Sequence, residues 1–599
     1  MRTSMHTKFF AVLVVGVGVA AATLAIAQDG PKAGFDPLFD ALSNCFKPKQ
    51  ANSAWMRQLA QNKTSPELRP VDRPQAASAE ESAPPLWGGL GGLHYPISTN
   101  NAQAQAYFNQ GLRLAYAFNH GEALRAFRQA QRLDSGCAMC YWGEALVLGP
   151  NINAPMDPSA AQPAWQAIKN ARAQAKRANA RERALIEALA RRYSSELKAE
   201  RAELDSAYAD AMAVLHRKYP TDTTIATLYA ESLMDLQPWD YWEPGGVKAK
   251  GRAKDIVPTL EKVLRQERQH PGAIHFYIHA VEASNRPERA EPYAEKLAGL
   301  MPGAGHIVHM PSHIYYRVGR YLDALEANRQ AVAVDERYFT EAKASDIYAV
   351  GYYPHNIHFL MASAQMAGDG RTAVQAAEKL ARAVPEEALP TIAMVHPVKA
   401  APYFAHAQFS TPTAILALPA PSENFPYIRA LWHYARGVAY AQMKAIPEAE
   451  GEARAIAAIG TKADFKMLND AGIPAADVVA IAERVVWARI AQAQGHSRLG
   501  AQHLREAIVI EDRLAYMEPP YWAYPIRQSL GAVLLASGDL DGAEQALRES
   551  LRRTPNNAVV LYALSQVYTL RGDKNAAEEM EGRFKRAWAG DGPVDLAAL

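Results

Sequence analysis

From Asn100 onward the chain runs through Ala-rich amphipathic stretches separated by short turns, and strand-like alternation of apolar and polar positions is almost absent. Apolar residues recurring every three to four positions predict helices, and turns this short pair each helix with the next as an antiparallel hairpin. A period of 34 residues governs the pattern. Tyr107-Phe108, Gly111, Asn119-His120-Gly121-Glu122-Ala123, Phe127, Ala130 and Leu133-Asp134 form one unit; the next starts 34 residues later, at Ala138, with Tyr141-Trp142 in the aromatic place. Leu530-Gly531, Gly538, Ala543 and Pro555 fall in the same frame, Gly572 and Ala577 repeat it one period on, and Ala430, Gly437, Tyr440 and Ala449 mark another unit. Small residues recur where the two helices of a hairpin must approach closely, and stacked hairpins bury a shared core that none could bury alone.

Residues 100–585 resemble the tetratricopeptide (TPR-like) repeat superfamily on these anchors, which implies an all-α fold, a TPR-like α-solenoid built as a superhelix of antiparallel hairpins. More narrowly, Ala117-Phe118-Asn119-His120, Gly149-Pro150-Asn151-Ile152-Asn153, the run His306 to His313 and Glu518-Pro519-Pro520 resemble a group of long exported bacterial TPR proteins. That likeness implies fold and export and assigns no activity. The repeats divide into an N-terminal set over 100–420 and a C-terminal set over 421–585, followed by a tail over 586–599.

What precedes the repeats bears on compartment. Arg2 and Lys8 lead an apolar run from Phe9 to Ala25, and Ala25-Ile26-Ala27 supplies the small residues of a cleavage site. This is the pattern of a signal peptide over 1–27; the core of the run is shorter than the roughly 20 residues a spanning helix needs. A periplasmic or secreted protein with no membrane span after cleavage is expected. Residues 28–61 read as a short helical segment, and 62–99 as a Pro/Gly/Ser-rich linker that includes Trp87-Gly88-Gly89-Leu90-Gly91-Gly92.

Removing residues 1–27 leaves 62 basic and 62 acidic side chains, a net charge of zero. A neutral chain without basic blocks has no electrostatic footprint for nucleic acid or for an anionic membrane surface. Three cysteines remain, Cys45, Cys137 and Cys140. The Cys137-Ala138-Met139-Cys140 spacing is not a haem attachment site, because Tyr141 stands where histidine is required. No βαβ pattern surrounds it to suggest a redox pair. In an oxidising compartment a structural bridge from Cys45 to Cys137 or Cys140 is the expected pairing.

Histidine distribution changes the picture most. Of 17 histidines, eight lie between His270 and His358, where uniform scatter would place about 2.5. A repeat anchored on Arg289-Ala290 starts at Pro271, which suits the first turn of a helix, and puts His275, His279 and Glu282 at positions 5, 9 and 12. The next repeat, anchored by Gly319, Tyr321 and Ala324, puts His306, His309 and His313 at positions 2, 5 and 9. After an insertion of about 15 residues, a third starts at Pro354 and puts His355 and His358 at positions 2 and 5. In TPR-like proteins positions 2, 5, 9 and 12 line the concave face, and residues three or four apart share one helix face. Seven histidines and a glutamate therefore converge. Imidazole and carboxylate are ligands for Zn²⁺, Cu²⁺ and iron; a soft all-sulfur site is not suggested. Pro311 falls at position 7, where a proline inside a helix costs about 3 kcal/mol, so a helix start at Pro311 is the alternative, with His306 and His309 on the preceding turn.

Other candidates are less anchored. Glu231, in Tyr229-Ala230-Glu231-Ser232, matches Glu282 in Val281-Glu282-Ala283-Ser284 if its repeat carries a 17-residue insertion. Either glutamate would be a ligand or a general base. Trp239-Asp240-Tyr241-Trp242 in that insertion would form an aromatic wall over the site or pack at a repeat junction. His396 reaches position 9 only by extending the frame, and Asn151 and Asn153 are expected to cap a turn. Neither a phosphate-binding Gly-rich loop nor a Gly-x-Ser-x-Gly elbow is present. The expectation is an exported repeat protein binding one or two transition-metal ions (copper, zinc or iron) on its concave face. It would serve metal-dependent hydrolysis or oxidation of a small molecule or peptide, or metal holding without catalysis. The alternative is a metal-free scaffold docking a peptide or protein partner, the commonest use of this fold.

Overall fold

Connections of a few residues leave consecutive helices no arrangement except folding back on one another. The computed structural model describes residues 83–596, apart from 197–198 and 343–347. The signal peptide, the 28–61 segment, residues 62–82 of the linker and Cys45 lie outside the described residues. Ala102–Tyr116 pairs with His120–Leu133, Pro426–Gln442 with Ile446–Lys462, Ile526–Ala536 with Leu540–Arg553, and Ala558–Arg571 with Lys574–Ala587. Among the described residues the only β pairing is two isolated bridges, Asn151–Ala154 and Trp242–Ala249. The fold is an all-α, TPR-like solenoid.

Local chemistry sets the hairpins. Asn101, Asp369, Asp539 and Asp573 cap helix starts by accepting backbone N–H groups with their side chains, which satisfies donors the helix itself leaves unpaired. Within the first hairpin, a Cβ on Gly111 would lie 2.7 Å from the Phe127 ring. The repeat's small residue is there because the partner helix occupies that space.

The stretch 83–99 has no helix or strand, turns at 88–89, and is bound down rather than free of the repeats. Leu90, Tyr95 and Ile97 are buried. Trp87 Nε1 donates to Glu122 Oε1 at 3.0 Å, and Gly303 N donates to Gly89 O at 2.8 Å. At the other end Ala589 N donates to Ala367 O at 2.9 Å, so the start of the tail sits on the end of the Tyr353–Ala367 helix.

The expected bridge from Cys45 is corrected. Cys137 and Cys140 pair with each other, their Cα atoms 5.4 Å apart, inside the range a disulfide spans. Cys137 caps the Ala138–Val147 helix and Cys140 lies in its first turn, so one helical turn brings both sulfurs together without help from a distant segment.

Apolar packing forms two large cores. One runs from Leu90 to Tyr352 and the other from Leu325 to Met580, overlapping over 325–352. The histidine-bearing helices span this changeover. They are Pro271–Val281, the broken pair Gly305–His309 and Pro311–Arg317, and Tyr353–Ala367.

Candidate metal centre

Four side chains define the chemistry, and each is fixed by what its Nδ1 touches. His275 Nδ1 lies 2.6 Å from Tyr116 O. A backbone carbonyl only accepts, so this nitrogen carries the proton. His279 Nδ1 donates to Glu282 Oε1 at 2.7 Å and His313 Nδ1 to Glu282 Oε2 at 2.6 Å. His309 Nδ1 lies 2.6 Å from Asn328 Oδ1, and Asn328 Nδ2 donates to Ala324 O at 2.7 Å, which fixes the amide so that its oxygen faces the ring. A ring that carries only this one proton leaves its Nε2 bare.

Those bare nitrogens face each other. His275 Nε2 and His279 Nε2 are 3.1 Å apart, and His309 Nε2 and His313 Nε2 are 2.8 Å apart. No hydrogen bond joins two unprotonated nitrogens, so lone pair meets lone pair unless a cation lies between them. At the His275–His279 pair a shared proton is disfavoured, because burial holds His275 well below the usual imidazole range and His279 below it. Nitrogens bound about 2.0–2.1 Å from one ion stand about 3.3 Å apart across a tetrahedron, close to the separations seen.

A third imidazole completes each pair. His306 Nε2 lies 3.2 Å from His275 Nε2, and candidate ligand atoms of His275, His279 and His306 all fall within 4.8 Å of one another. His309, His313 and His355 form a second such trio. Glu282 joins them: its Oε1 accepts from His279 of the first trio and its Oε2 from His313 of the second. Burial alone would raise its pKa, but the donating His313 and His279 rings hold it well below the carboxylate range. Its two oxygens are occupied by N–H donors, an arrangement that orients metal-ligating imidazoles.

The surroundings explain the precision. Pro271 starts its helix, with the His270 ring accepting from Ala273 N, and His275 and His279 follow on one face. A Cβ on Gly272 would lie 2.5 Å from the Tyr116 ring, so glycine lets this helix come close enough for His275 to reach the Tyr116 carbonyl. The frame's conflict at Pro311 resolves by a break at Met310: Pro311 opens Pro311–Arg317, while His306 and His309 sit on the short helix before it. Phe118, at φ +56, packs its ring 4.5 Å from His275 and 5.6 Å from His306. A bulky side chain in the left-handed region is strained by about 1–3 kcal/mol and persists where packing dictates it. Trp239 stands edge-on to His279 at 4.9 Å, and its Nε1 donates to Ile152 O and Asn153 Oδ1. Of Trp239-Asp240-Tyr241-Trp242, Trp239 faces the histidines while Trp242 Nε1 donates to Ala280 O; Asn151 accepts from Asn153 N and Ala154 N in the turn.

Three predicted residues fall outside the trios. His358 lines the adjoining cavity, its pKa lowered to about 4 by burial. His396 Nε2 donates to Leu389 O at 2.8 Å, with its ring against Phe425. Glu231 sits with Asp235 and Arg192, and burial and the Asp235 charge raise its pKa; the frame match that paired it with Glu282 does not bring the two together at the histidines. Sequence reasoning gave no role to Asn328, Phe118, Tyr516 or Glu518. Two of these stood in motifs already singled out, Ala117-Phe118-Asn119-His120 and Glu518-Pro519-Pro520. Asn328 had no spacing signal.

Residues 534–580 match the tetratricopeptide repeat family model, within the helix-hairpin stack described above. No curated protein matches the chain in sequence. Among solved structures, similarity extends to the human IFIT1 dimer with m7Gppp-AAAA at 13% identity and a TM-score of 0.29, covering 82% of this chain and 90% of that one. The Cut9–Hcn1 hetero-tetramer of the APC/C matches at 12% identity and 0.28, covering 83% and 74%. Yeast Tom70 matches at 10% and 0.25, covering 81% and 90%. Likenesses this weak carry nothing about ligand or partner.

Proposed function

We propose that this is an exported repeat protein whose histidine site holds two transition-metal ions, each by three imidazoles, for metal-assisted chemistry on a small molecule. The observation that supports it most is the pair of contacts between bare Nε2 atoms at 3.1 and 2.8 Å. His275, His279 and His306 would hold one ion, His309, His313 and His355 the other, and Glu282 would position one ring of each. Copper, zinc and iron all suit imidazole ligands. A bound ion of this class activates water or dioxygen, or polarises a substrate oxygen.

The chain's residues supply the rest. Burial lowers the pKa of the His275, His279, His306, His309 and His355 rings, and the Trp239 and Phe118 rings pack against the first trio. Peptide docking on an open concave face is disfavoured, since His275, His279, His306, His309 and His313 are each exposed by 1% or less. Export is supported by the pattern of residues 1–27 alone, and N-terminal sequencing of fractionated protein should find the chain beginning at Gln28. Replacing His279 and His313 together by alanine should abolish metal retention while leaving far-UV circular dichroism largely unchanged, because each trio loses one ligand and the hairpins keep their packing. Stoichiometric metal in that variant would overturn the assignment.

A further inference from the structure

Beside the trios lies a cavity of about 190 Å³, lined on one side by His279, His306, His313 and His355. Its other walls are apolar, including Val384, Ile392, Val398, Phe404 and Pro520. The volume equals about six water molecules, hence one ligand of roughly phenol size. Such walls disfavour water as a permanent occupant and an ammonium group as a ligand.

Among the polar side chains that interrupt this lining, which include Asn153, His358 and Tyr516, Glu518 is the one carboxylate. Glu518 is 7% exposed and comes from the segment between the Ser497–Glu511 and Ile526–Ala536 helices. Its Oε1 accepts from Tyr516 OH at 2.6 Å, while its Oε2 is buried with no hydrogen-bond partner. An unsatisfied buried carboxylate oxygen is costly, on the order of 1–3 kcal/mol or more, and asks for a donor. Tyr516 OH also lies 3.3 Å from Glu282 Oε2, and Arg317 stacks on the Tyr516 ring while donating to Glu282 O. Glu518 is therefore held in register with the carboxylate that links the two trios.

We infer that this cavity is the substrate pocket, and that Glu518 Oε2 accepts a hydrogen bond from the hydroxyl group of a small, otherwise apolar molecule. The inference rests on the metal reading for the chemistry that follows binding, but not for the binding itself. Glu518 is a substrate-orienting group on this account. Burial and the Glu282 charge push its pKa to about 7, so it is a better acceptor toward the alkaline side of neutrality.

The test uses full-length purified protein and two probes, 4-methylphenol and its methyl ether 4-methylanisole, followed by calorimetry before and after chelator treatment. Wild type should bind the phenol at least tenfold more tightly than the ether. In Glu518→Gln, Tyr516 OH claims the amide oxygen, which turns the NH₂ toward the ligand. The phenol should then lose about tenfold in affinity and the ether should not. Val398→Trp, which fills the cavity, should abolish binding of both probes, with circular dichroism confirming that each variant folds. Equal affinity for the two probes in wild type, no binding of either, or unchanged selectivity in Glu518→Gln would overturn the inference. Selective phenol binding to protein that never retains metal would uphold the pocket and count against the metal reading alone.

Discussion

Glu282 accepts a proton donor on each oxygen, 2.7 Å from His279 and 2.6 Å from His313, and an amide cannot do the same. In Glu282→Gln one ring would face an NH₂ group with its own N–H, so that ring must turn or change tautomer, and its Nε2 no longer faces its partner nitrogen. Metal affinity should fall about 10–100-fold with helical content preserved, as read by competition with a chromogenic chelator; unchanged affinity would show that Glu282 does not orient the ligands. The histidines and Glu282 could be found from sequence because their spacing lies within single helices, where three- and four-residue steps share a face. Their partners could not. His275 meets Tyr116 across 159 residues, and Tyr516 meets Glu282 across 234; contacts at that range follow from how hairpins stack, which no local pattern encodes.

Helices set the distances that these residues exploit. Gly272 lies against Tyr116, and a methyl group there would meet the ring at 2.5 Å. Gly272→Ala should destabilise the protein by about 1–3 kcal/mol through overpacking and weaken metal binding at the His275 trio, both measurable by denaturant titration with and without chelator. A silent substitution would mean that the helix has room the structure does not show. The 34-residue frame placed the helix starts at Pro271 and Pro354 to within a residue, since proline tolerates the first turn and little else in a helix. At Pro311 the frame and the proline disagreed, and the chain resolved it by breaking the helix at Met310. Glu231 was misplaced for a related reason. Its match to Glu282 relied on sequence similarity across an insertion, and the helix Thr223–Met234 carries it to the Arg192 and Asp235 cluster instead.

Across the whole molecule, the histidine-bearing helices occupy the segment where one apolar core gives way to the next, and Tyr516 of the C-terminal half, which donates to Glu518, reaches back to Glu282. Ligation should therefore stabilise both halves together. At free metal about 1,000 times Kd the gain is about 4 kcal/mol per site, seen as a raised Tm in a single transition. Asp335 adds a pH dependence of its own. Burial raises its carboxyl from 3.8 to about 7, against donors from Tyr348 and Asn356. A raised folded-state pKa gives stability that is full below about 3.8 and is lost as pH rises through about 7. The difference between wild type and Asp335→Asn should therefore shift by up to about 4 kcal/mol over that window, and a difference independent of pH would contradict the assignment.

The central claim is that two ions separate imidazole nitrogens which otherwise confront one another. Elemental analysis of protein purified from its native compartment, without added metal or affinity resin that carries metal, tests it most directly. Two atoms of copper, zinc or iron per folded chain, lost together with His279 and His313, are the predicted result. Folded protein with no stoichiometric transition metal, and none taken up on incubation with each of the three ions, would contradict it.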